Sequence, residues 1–192
     1  MAVIVSMLRG VNLGPHRRIK MEALRALYES LKLRDAQTYV QSGNVIFRTD
    51  ERDLVRLAKR IENGIDRKFG FRCDVIVRTA SELRDVIRRN PFAKRRAMEP
   101  SKLLVTFLAS DPGEQARKQV RTIKTEPEEF WIDGQEAYTY FPDGMARPKL
   151  SWPAMERVLK VSGTGRNWNS VTNMLEMAEK LEAALGRVDT AA

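Results

Sequence analysis

The chain has 192 residues, of which 43% are hydrophobic and 31% charged, a composition that excludes a disordered or fibrous protein. No apolar stretch approaches the roughly 20 residues that cross a bilayer. The N-terminus lacks a basic leader with a small-residue cleavage site, and one cysteine cannot form an internal disulfide. We therefore expect a cytoplasmic protein that has no membrane partner.

Charge divides unevenly along the chain. Residues 1–96 hold 22 Lys and Arg against 11 Asp and Glu, a net charge of +11, whereas residues 97–192 hold 12 against 14, a net charge of −2. A basic half favours a phosphorylated ligand or nucleic acid. The alternative interpretation is that its helices carry solvated Arg and Lys on their outer faces.

Metal and thiol chemistry have little support. Cys73 and His16 are the only residues of their types, so a zinc site that needs several such ligands is excluded. No motif surrounds either residue, and we interpret Cys73 as a half-buried strand residue and His16 as a loop residue. The sequence identifies neither a cofactor nor a reaction, so the question of enzymatic activity stays open.

The first half alternates strand and helix patterns. Apolar runs, helical spacing of Leu and Ile, and a glycine turn predict, in chain order, a strand Val3–Leu8, a helix over about 20–32, a hairpin of Thr38–Gln41 and Val45–Phe47, a helix from Leu54 to Ile65, and a strand Cys73–Val77. Asp50 is the expected N-cap of the second helix. A capping box at Thr79–Glu82 predicts a connecting helix that ends near Asn90-Pro91.

The second half repeats this order of elements. The patterns predict a strand Leu103–Leu108, a helix opened by Asp111 as its cap, a hairpin of Phe130–Ile132 and Ala137–Tyr140, and helices over about 151–160 and 168–186. No closing strand is visible between the last two helices. We therefore expect a modified second copy with an extra C-terminal helix.

This element order is that of the ferredoxin-like fold, or alpha/beta plait. We predict an α+β protein of two ferredoxin-like halves. Residues 1–80 form the N-terminal half, 81–100 a connecting helix and linker, and 101–192 the C-terminal half with its terminal helix.

Three polar clusters are not explained by the apolar pattern: Arg9–Gly14, Gln41–Asn44 and Ser162–Ser170. They fall at strand ends, in a hairpin and at the start of the last helix, where backbone N–H groups can bind anions. We predict a ligand site, shared between the halves, of Arg9, Gly10, Asn12, Gln41, Ser42, Asn44, Lys149, Arg166, Asn167 and Asn169. The alternative is that these residues only form turns and helix caps.

Several of these runs resemble a bacterial family, domain of unknown function 1697. The matching runs are Leu8–Gly14, Ile19–Met21 with Leu24-Arg25, Thr38–Phe47, Asn90–Phe92, Lys149-Leu150 and Arg166–Thr172. The resemblance implies two plait-like halves and no established activity. The chain departs from the family pattern at Pro15–Arg18 and at Arg147-Pro148, where loop shape and charge differ.

Three functions compete. The first is binding of a small phosphate- or carboxylate-bearing ligand at the polar site, with catalysis left open. The second is sequence-nonspecific nucleic-acid binding through the basic N-terminal half, without the exposed strand aromatics that stack bases in RNA-recognition folds. The third is a regulatory or scaffolding domain that pairs through its sheet edges. Ligand identity and oligomeric state stay open.

Overall fold

The computed structural model describes residues 1–188, with side chains through residue 184. Residues 189–192, which the predicted C-terminal half includes, lie outside the described residues. The first half contains β1 (Ala2–Leu8), α1 (Met21–Ser30), β2 (Arg34–Tyr39), β3 (Asn44–Thr49), α2 (Leu54–Phe69), β4 (Val75–Thr79) and α3 (Ala80–Arg88). After a short 3-10 turn, the second contains β5 (Leu103–Leu108), α4 (Glu114–Val120), β6 (Glu129–Asp133), β7 (Glu136–Tyr140), α5 (Trp152–Leu159), β8 (Gly163–Asn167) and α6 (Trp168–Val188).

Each half contains one four-stranded antiparallel sheet. The strand order is β2-β3-β1-β4 in the first sheet and β6-β7-β5-β8 in the second. Each sheet arises from the same sequence of elements, βαββαβ, followed by a further helix. The predicted α+β architecture of two similar halves is confirmed at this level.

The prediction that the second half lacks a closing strand is wrong. Residues Gly163–Asn167 form β8, which pairs with β5 along its whole length. The sequence pattern did not predict this strand, because the strand contains glycine, a residue that is depleted in strands. A Cβ on Gly163 would lie 2.9 Å from the Thr106 side chain, and one on Gly165 would lie 3.1 Å from Leu104. The glycines therefore mark close packing against the neighbouring strand rather than a flexible loop.

Two predicted helix caps are also corrected. Helix α2 is capped by Asp53 and not by Asp50, since the Asp53 carboxylate accepts a hydrogen bond from the Arg56 backbone N–H at 3.0 Å. Helix α4 begins after Gly113, while the Asp111 carboxylate accepts from the Gly113 N–H in the preceding turn. The apolar stripe locates a helix to within a turn, and the cap depends on local backbone geometry.

The capping box of α3 is confirmed. The Glu82 carboxylate accepts from the Thr79 N–H at 2.7 Å, and the Thr79 hydroxyl accepts from the Glu82 N–H at 3.1 Å. This reciprocal pair satisfies two backbone donors at the start of the helix.

The described residues divide into two compact units, 1–85 together with 173–188, and 86–172. In the first, α1 and α2 pack on one face of the sheet around Tyr28, whose ring meets Phe47 edge-on at 5.2 Å. In the second, Val120, Met155 and Leu159 of α4 and α5 pack on apolar strand residues that include Leu108.

Glu128 anchors the long connection between β7 and α5. This carboxylate is only 5% exposed and accepts hydrogen bonds from the backbone N–H groups of Lys149, at 2.9 Å, and Leu150, at 3.2 Å. Leu150 in turn belongs to the apolar core of the second unit. A buried carboxylate thus fixes a loop that has no regular structure of its own.

We predict that Glu128→Ala lowers the free energy of unfolding by about 2–4 kcal/mol, because two backbone donors lose a charged acceptor. The neighbouring Glu129→Ala removes a half-exposed carboxylate paired with Arg95, and it is expected to cost less than about 1 kcal/mol. Urea denaturation of both variants measures the difference. Equal losses would show that Glu128 does not anchor the loop.

A second prediction concerns stability at alkaline pH. Burial raises the pKa of Tyr28 well above its usual value of 10.0, although a hydrogen bond with Ser6 opposes the shift. The neutral phenol therefore stabilises the fold below about pH 10, and that stability is lost as the pH rises further, by about 1.4 kcal/mol per pH unit. Tyr28→Phe should flatten this decline, and Tyr39→Phe, which changes a partly exposed ring, should not. Identical slopes for the wild type and both variants in urea denaturation between pH 9 and 12 would contradict the assignment.

Candidate functional site

The segment between β1 and α1 is fixed by the side chain of Asn12. Its amide oxygen accepts from the Ile19 N–H at 2.9 Å, and its Nδ2 donates to the Ile19 carbonyl at 3.0 Å and to the Gln41 carbonyl at 2.7 Å. One residue thus closes the loop on itself and ties it to the β2–β3 hairpin. Asn12 has a φ of 57°, in the left-handed region that Asn tolerates better than most residues.

Small-ligand sites commonly have volumes of about 300–1,000 Å³. A depression of 680 Å³ opens beside this hydrogen-bonded loop. It is lined by Asn12, Leu13, Gly14, Arg18, Ile19, Lys20 and Gln41. Two cations and two amides therefore face the same space, and none of these lining residues is acidic. Of the predicted site, the structure brings Asn12 and Gln41 together here.

The cations of this depression are not neutralised by neighbouring carboxylates. Arg18 donates through Nε to the Gly14 carbonyl at 3.1 Å, and within the described residues neither Arg18 nor Lys20 forms an ion pair. Lys20 is also the N-cap residue of α1, whose first turn has no side-chain cap. Glu22 supplies one carboxylate in that turn. The balance of charge still favours an anion at the helix start.

The corresponding segment of the second unit has the opposite character. At the start of α4, the Arg117 guanidinium is paired with both Asp111 and Glu114, the latter at 3.1 Å, and the Lys118 ammonium lies 3.9 Å from the Glu114 carboxylate. These cations are thus paired with acids from the same segment. An anion would meet no comparable positive charge there, so the cationic depression is a property of the first unit.

Backbone strain and exposed apolar residues mark the same region. Arg17 and Val40 have φ values of 55° and 50°, a conformation that is unusual for any residue other than glycine and a clear outlier for a β-branched one. Val40 is 49% exposed and Leu13 is 83% exposed. Such strain is found more often at binding sites than elsewhere.

The hairpin residues Ser42 and Asn44 are engaged within the hairpin. Asn44 is fully buried at the start of β3, and its Nδ2 donates to the Tyr39 carbonyl at 3.1 Å and to the Ser42 hydroxyl at 2.9 Å. Gly43, with a φ of 75°, has no room for a Cβ, which would lie 2.6 Å from Val11. These contacts hold the turn that carries Gln41.

Arg9 and Gly10 follow β1 directly. The Arg9 guanidinium lies 3.4 Å from the Asp74 carboxylate, and the Arg9 carbonyl accepts a hydrogen bond from the Cys73 thiol at 3.3 Å. Cys73 is buried, and burial raises the pKa of its thiol to about 11. The thiol is therefore neutral at physiological pH and is not an activated nucleophile.

The other predicted site residues belong to the second unit. Arg166 lies in β8, is 6% exposed and donates to the Thr164 hydroxyl at 2.7 Å. Asn167 ends that strand, where its Nδ2 donates to the Ser101 carbonyl and its oxygen accepts from the Asn169 N–H. Lys149 has an exposed side chain, and its backbone N–H is held by Glu128.

Arg166 has a structural counterpart in the first unit. It stands opposite Val105 of the central strand β5, and Arg78 of β4 stands opposite Val5 of the central strand β1. Arg78 is likewise only 6% exposed. A buried arginine therefore recurs at one register position of both sheets, although the two halves show no evident sequence identity.

Sequence reasoning did not include Arg18 and Lys20 among the site residues. The available signal is the run Pro15–Arg18, which departs from the family pattern and whose Arg17 and Arg18 fit phosphate contacts under the nucleic-acid alternative. Arg18 and Lys20 flank the buried Ile19, and Lys20 directly precedes α1, so both cations lie just before the helix start.

Within the described residues, no group of three or more His, Cys, Asp or Glu side chains could hold a metal ion. Over the same part of the chain, no helix is both long and apolar enough to pass through a lipid bilayer.

Comparison with known proteins places the chain in a family. The sequence profile of a family described as protein of unknown function (DUF1697) matches residues 1–138. The fold is similar to the solved structure of a conserved bacterial protein from Streptococcus pneumoniae, with a TM-score of 0.69 and 18% identity over 93% of this chain and 99% of the other. At that identity the likeness shows the fold alone. No curated protein matches the sequence. Because the profile covers well over half of the chain, the protein belongs to the DUF1697 family.

Proposed function

We propose that this protein binds a small anionic ligand, bearing a phosphate or carboxylate group, in the depression beside the β1–α1 loop. The observation that carries the proposal is the lining of that depression, which contains Arg18 and Lys20 and no carboxylate. Unpaired cations in a concave site gain most from an anion, because charge-assisted hydrogen bonds are about twice as strong as neutral ones.

The lining residues take different roles in this proposal. Arg18 and Lys20 contact the anion, and the exposed Gln41 side chain adds a directional hydrogen bond. The backbone N–H groups in the first turn of α1, which has no side-chain cap, add to the positive potential. Asn12 is a positioning residue, because both hydrogens of its amide are already donated to backbone carbonyls.

The wider site of Arg9, Gly10, Ser42, Asn44, Lys149, Arg166, Asn167 and Asn169, shared between the halves, stays a prediction. We also propose that residues 1–80 and 101–192 are ferredoxin-like halves joined by residues 81–100, since both follow the βαββαβ order. A cytoplasmic location is proposed from the single cysteine.

The two alternative functions have weaker support. Nucleic-acid binding would use aromatic rings beside the cations to stack bases, and no aromatic residue lines the depression. A scaffolding role would use exposed aromatics of the second hairpin. There, Tyr138 and Tyr140 are buried, and the half-exposed Trp131 is covered in part by Arg121, whose guanidinium carbon lies 5.2 Å from the ring centre.

We expect inorganic phosphate or acetate to bind the wild-type protein in isothermal titration calorimetry at low ionic strength. The double variant Arg18→Ala/Lys20→Ala should weaken that binding at least tenfold, since each charge-assisted contact contributes about 1.5–3 kcal/mol. The control Lys94→Ala/Arg96→Ala removes the same two charge types from an exposed loop of the second unit, and it should bind like the wild type. If both double variants lose phosphate affinity equally, the loss follows from net charge alone, and the proposed site is refuted. Single-stranded oligonucleotides that bind more tightly than either small anion would favour the nucleic-acid alternative.

A further prediction separates positioning from contact at Asn12. Asn12→Asp keeps the oxygen that accepts from Ile19 and removes both donated hydrogen bonds, so the loop should lose its tie to the hairpin. We expect a loss of about 1–2 kcal/mol in unfolding free energy, together with weaker phosphate binding. Gln41→Ala, which keeps its backbone carbonyl, should weaken binding without the loss of stability. Unchanged stability of Asn12→Asp in urea denaturation would show that the amide does not hold the loop.

A further inference from the structure

The seam between α1 and α2 extends the positive surface of the depression. A Cβ on Gly64 would lie 3.2 Å from the side chains of Leu27 and Leu31, so the two helices approach closely at this glycine. One turn further along α2, the Lys68 ammonium donates to the Ala23 carbonyl at 3.2 Å. The contact moves from Gly64 to Lys68 along α2 and from Leu27 and Leu31 back to Ala23 along α1. The two helices therefore run antiparallel. The end of α2 therefore meets the start of α1.

This register brings Lys68 to the end of α1 where Lys20 stands. Ala23 follows Lys20 by three residues, which is about 4.5 Å along a helix axis. Lys20 is the extended N-cap residue directly before the helix, so Lys20 and Ala23 both belong to the entry of α1. The four-carbon stem of Lys68 lets its ammonium leave the Ala23 carbonyl and move toward a ligand at the depression.

Lys68 reaches the neighbouring helix α1, whereas Arg67 donates to the Asn63 carbonyl of its own helix at 3.2 Å. Lys59 is paired with Glu62 at 2.7 Å, and Arg72 with Asp66 at 3.8 Å. Lys68 is exposed and, within the described residues, forms no ion pair. Its ammonium donates to a neutral carbonyl and lies 5.8 Å from the centre of the Phe69 ring, so two further hydrogens can be donated to an acceptor.

We propose that the ligand of the depression carries at least two linked phosphate groups. This inference rests on the proposed function and specifies the ligand class for the same site. One phosphate is bound by Arg18 and Lys20, and the next, along the α1–α2 seam, is bound by Lys68. The class is a pyrophosphate- or polyphosphate-bearing molecule, and a monophosphate or a single carboxylate would leave Lys68 unused.

The test compares inorganic phosphate with tripolyphosphate in isothermal titration calorimetry of the full chain at constant ionic strength. The wild type should bind tripolyphosphate at least tenfold more tightly. Lys68→Ala should remove most of that advantage and change phosphate affinity less than twofold. Arg67→Ala, which removes an equal charge from the adjacent exposed position of α2, should retain the advantage.

The outcomes separate this inference from the proposed function. Phosphate binding that depends on Arg18 and Lys20, with no advantage for tripolyphosphate, overturns the two-phosphate inference and leaves the anion site intact. An equal effect of Lys68→Ala and Arg67→Ala also overturns it, because the advantage would then follow net charge alone. Failure of both anions to bind the wild type overturns the anion site itself.

Discussion

The candidate site depends on the three hydrogen bonds of the Asn12 side chain. In the loop after the central strand β1, the Asn12 N–H donates to the Arg17 carbonyl at 3.1 Å, and the remaining shape of this irregular segment depends on side chains. Asn12 meets both the N–H and the carbonyl of Ile19 and also reaches the Gln41 carbonyl. Ile19 is buried as a result, and the residues on either side of it, Arg18 and Lys20, are directed outward. The buried Ile19 side chain and the hydrogen bonds of Asn12 thus hold two exposed cations at the start of a helix.

The two units use one topology for different local chemistry. Their sheets share a strand order, and both carry a buried arginine opposite the central strand, Arg78 in one and Arg166 in the other. The loops after the central strands differ in charge. Arg117 of the second unit is bound by two acids of its own segment, whereas Arg18 donates to the neutral Gly14 carbonyl and forms no ion pair with any residue that the structure describes. Function can diverge in the loops while the sheets remain alike, because loops contribute little to the packed core.

Sequence patterns located most elements. Long apolar stripes indicate which helix and strand faces are buried, and the capping box at Thr79–Glu82 indicates where backbone N–H donors at a helix start are satisfied. Strand β8 was missed, since its glycines are required by close packing against Thr106 and Leu104, a contact distant in sequence. At the site, the polar runs pointed to Asn12 and Gln41. They could not show that Asn44 is buried or that Arg18 is unpaired, because both facts depend on which residues folding brings nearby.

The most direct test of the account is where a phosphate ion perturbs the protein. In a titration of the isotopically labelled chain followed by amide NMR spectra, the account predicts progressive shifts of the N–H signals of Arg18, Lys20 and Gln41. The N–H signals of Gly113 and Glu114, at the equivalent helix start of the second unit, should stay in place. Shifts of equal size at both helix starts, or none at Arg18 and Lys20 under saturating phosphate, would contradict the assignment.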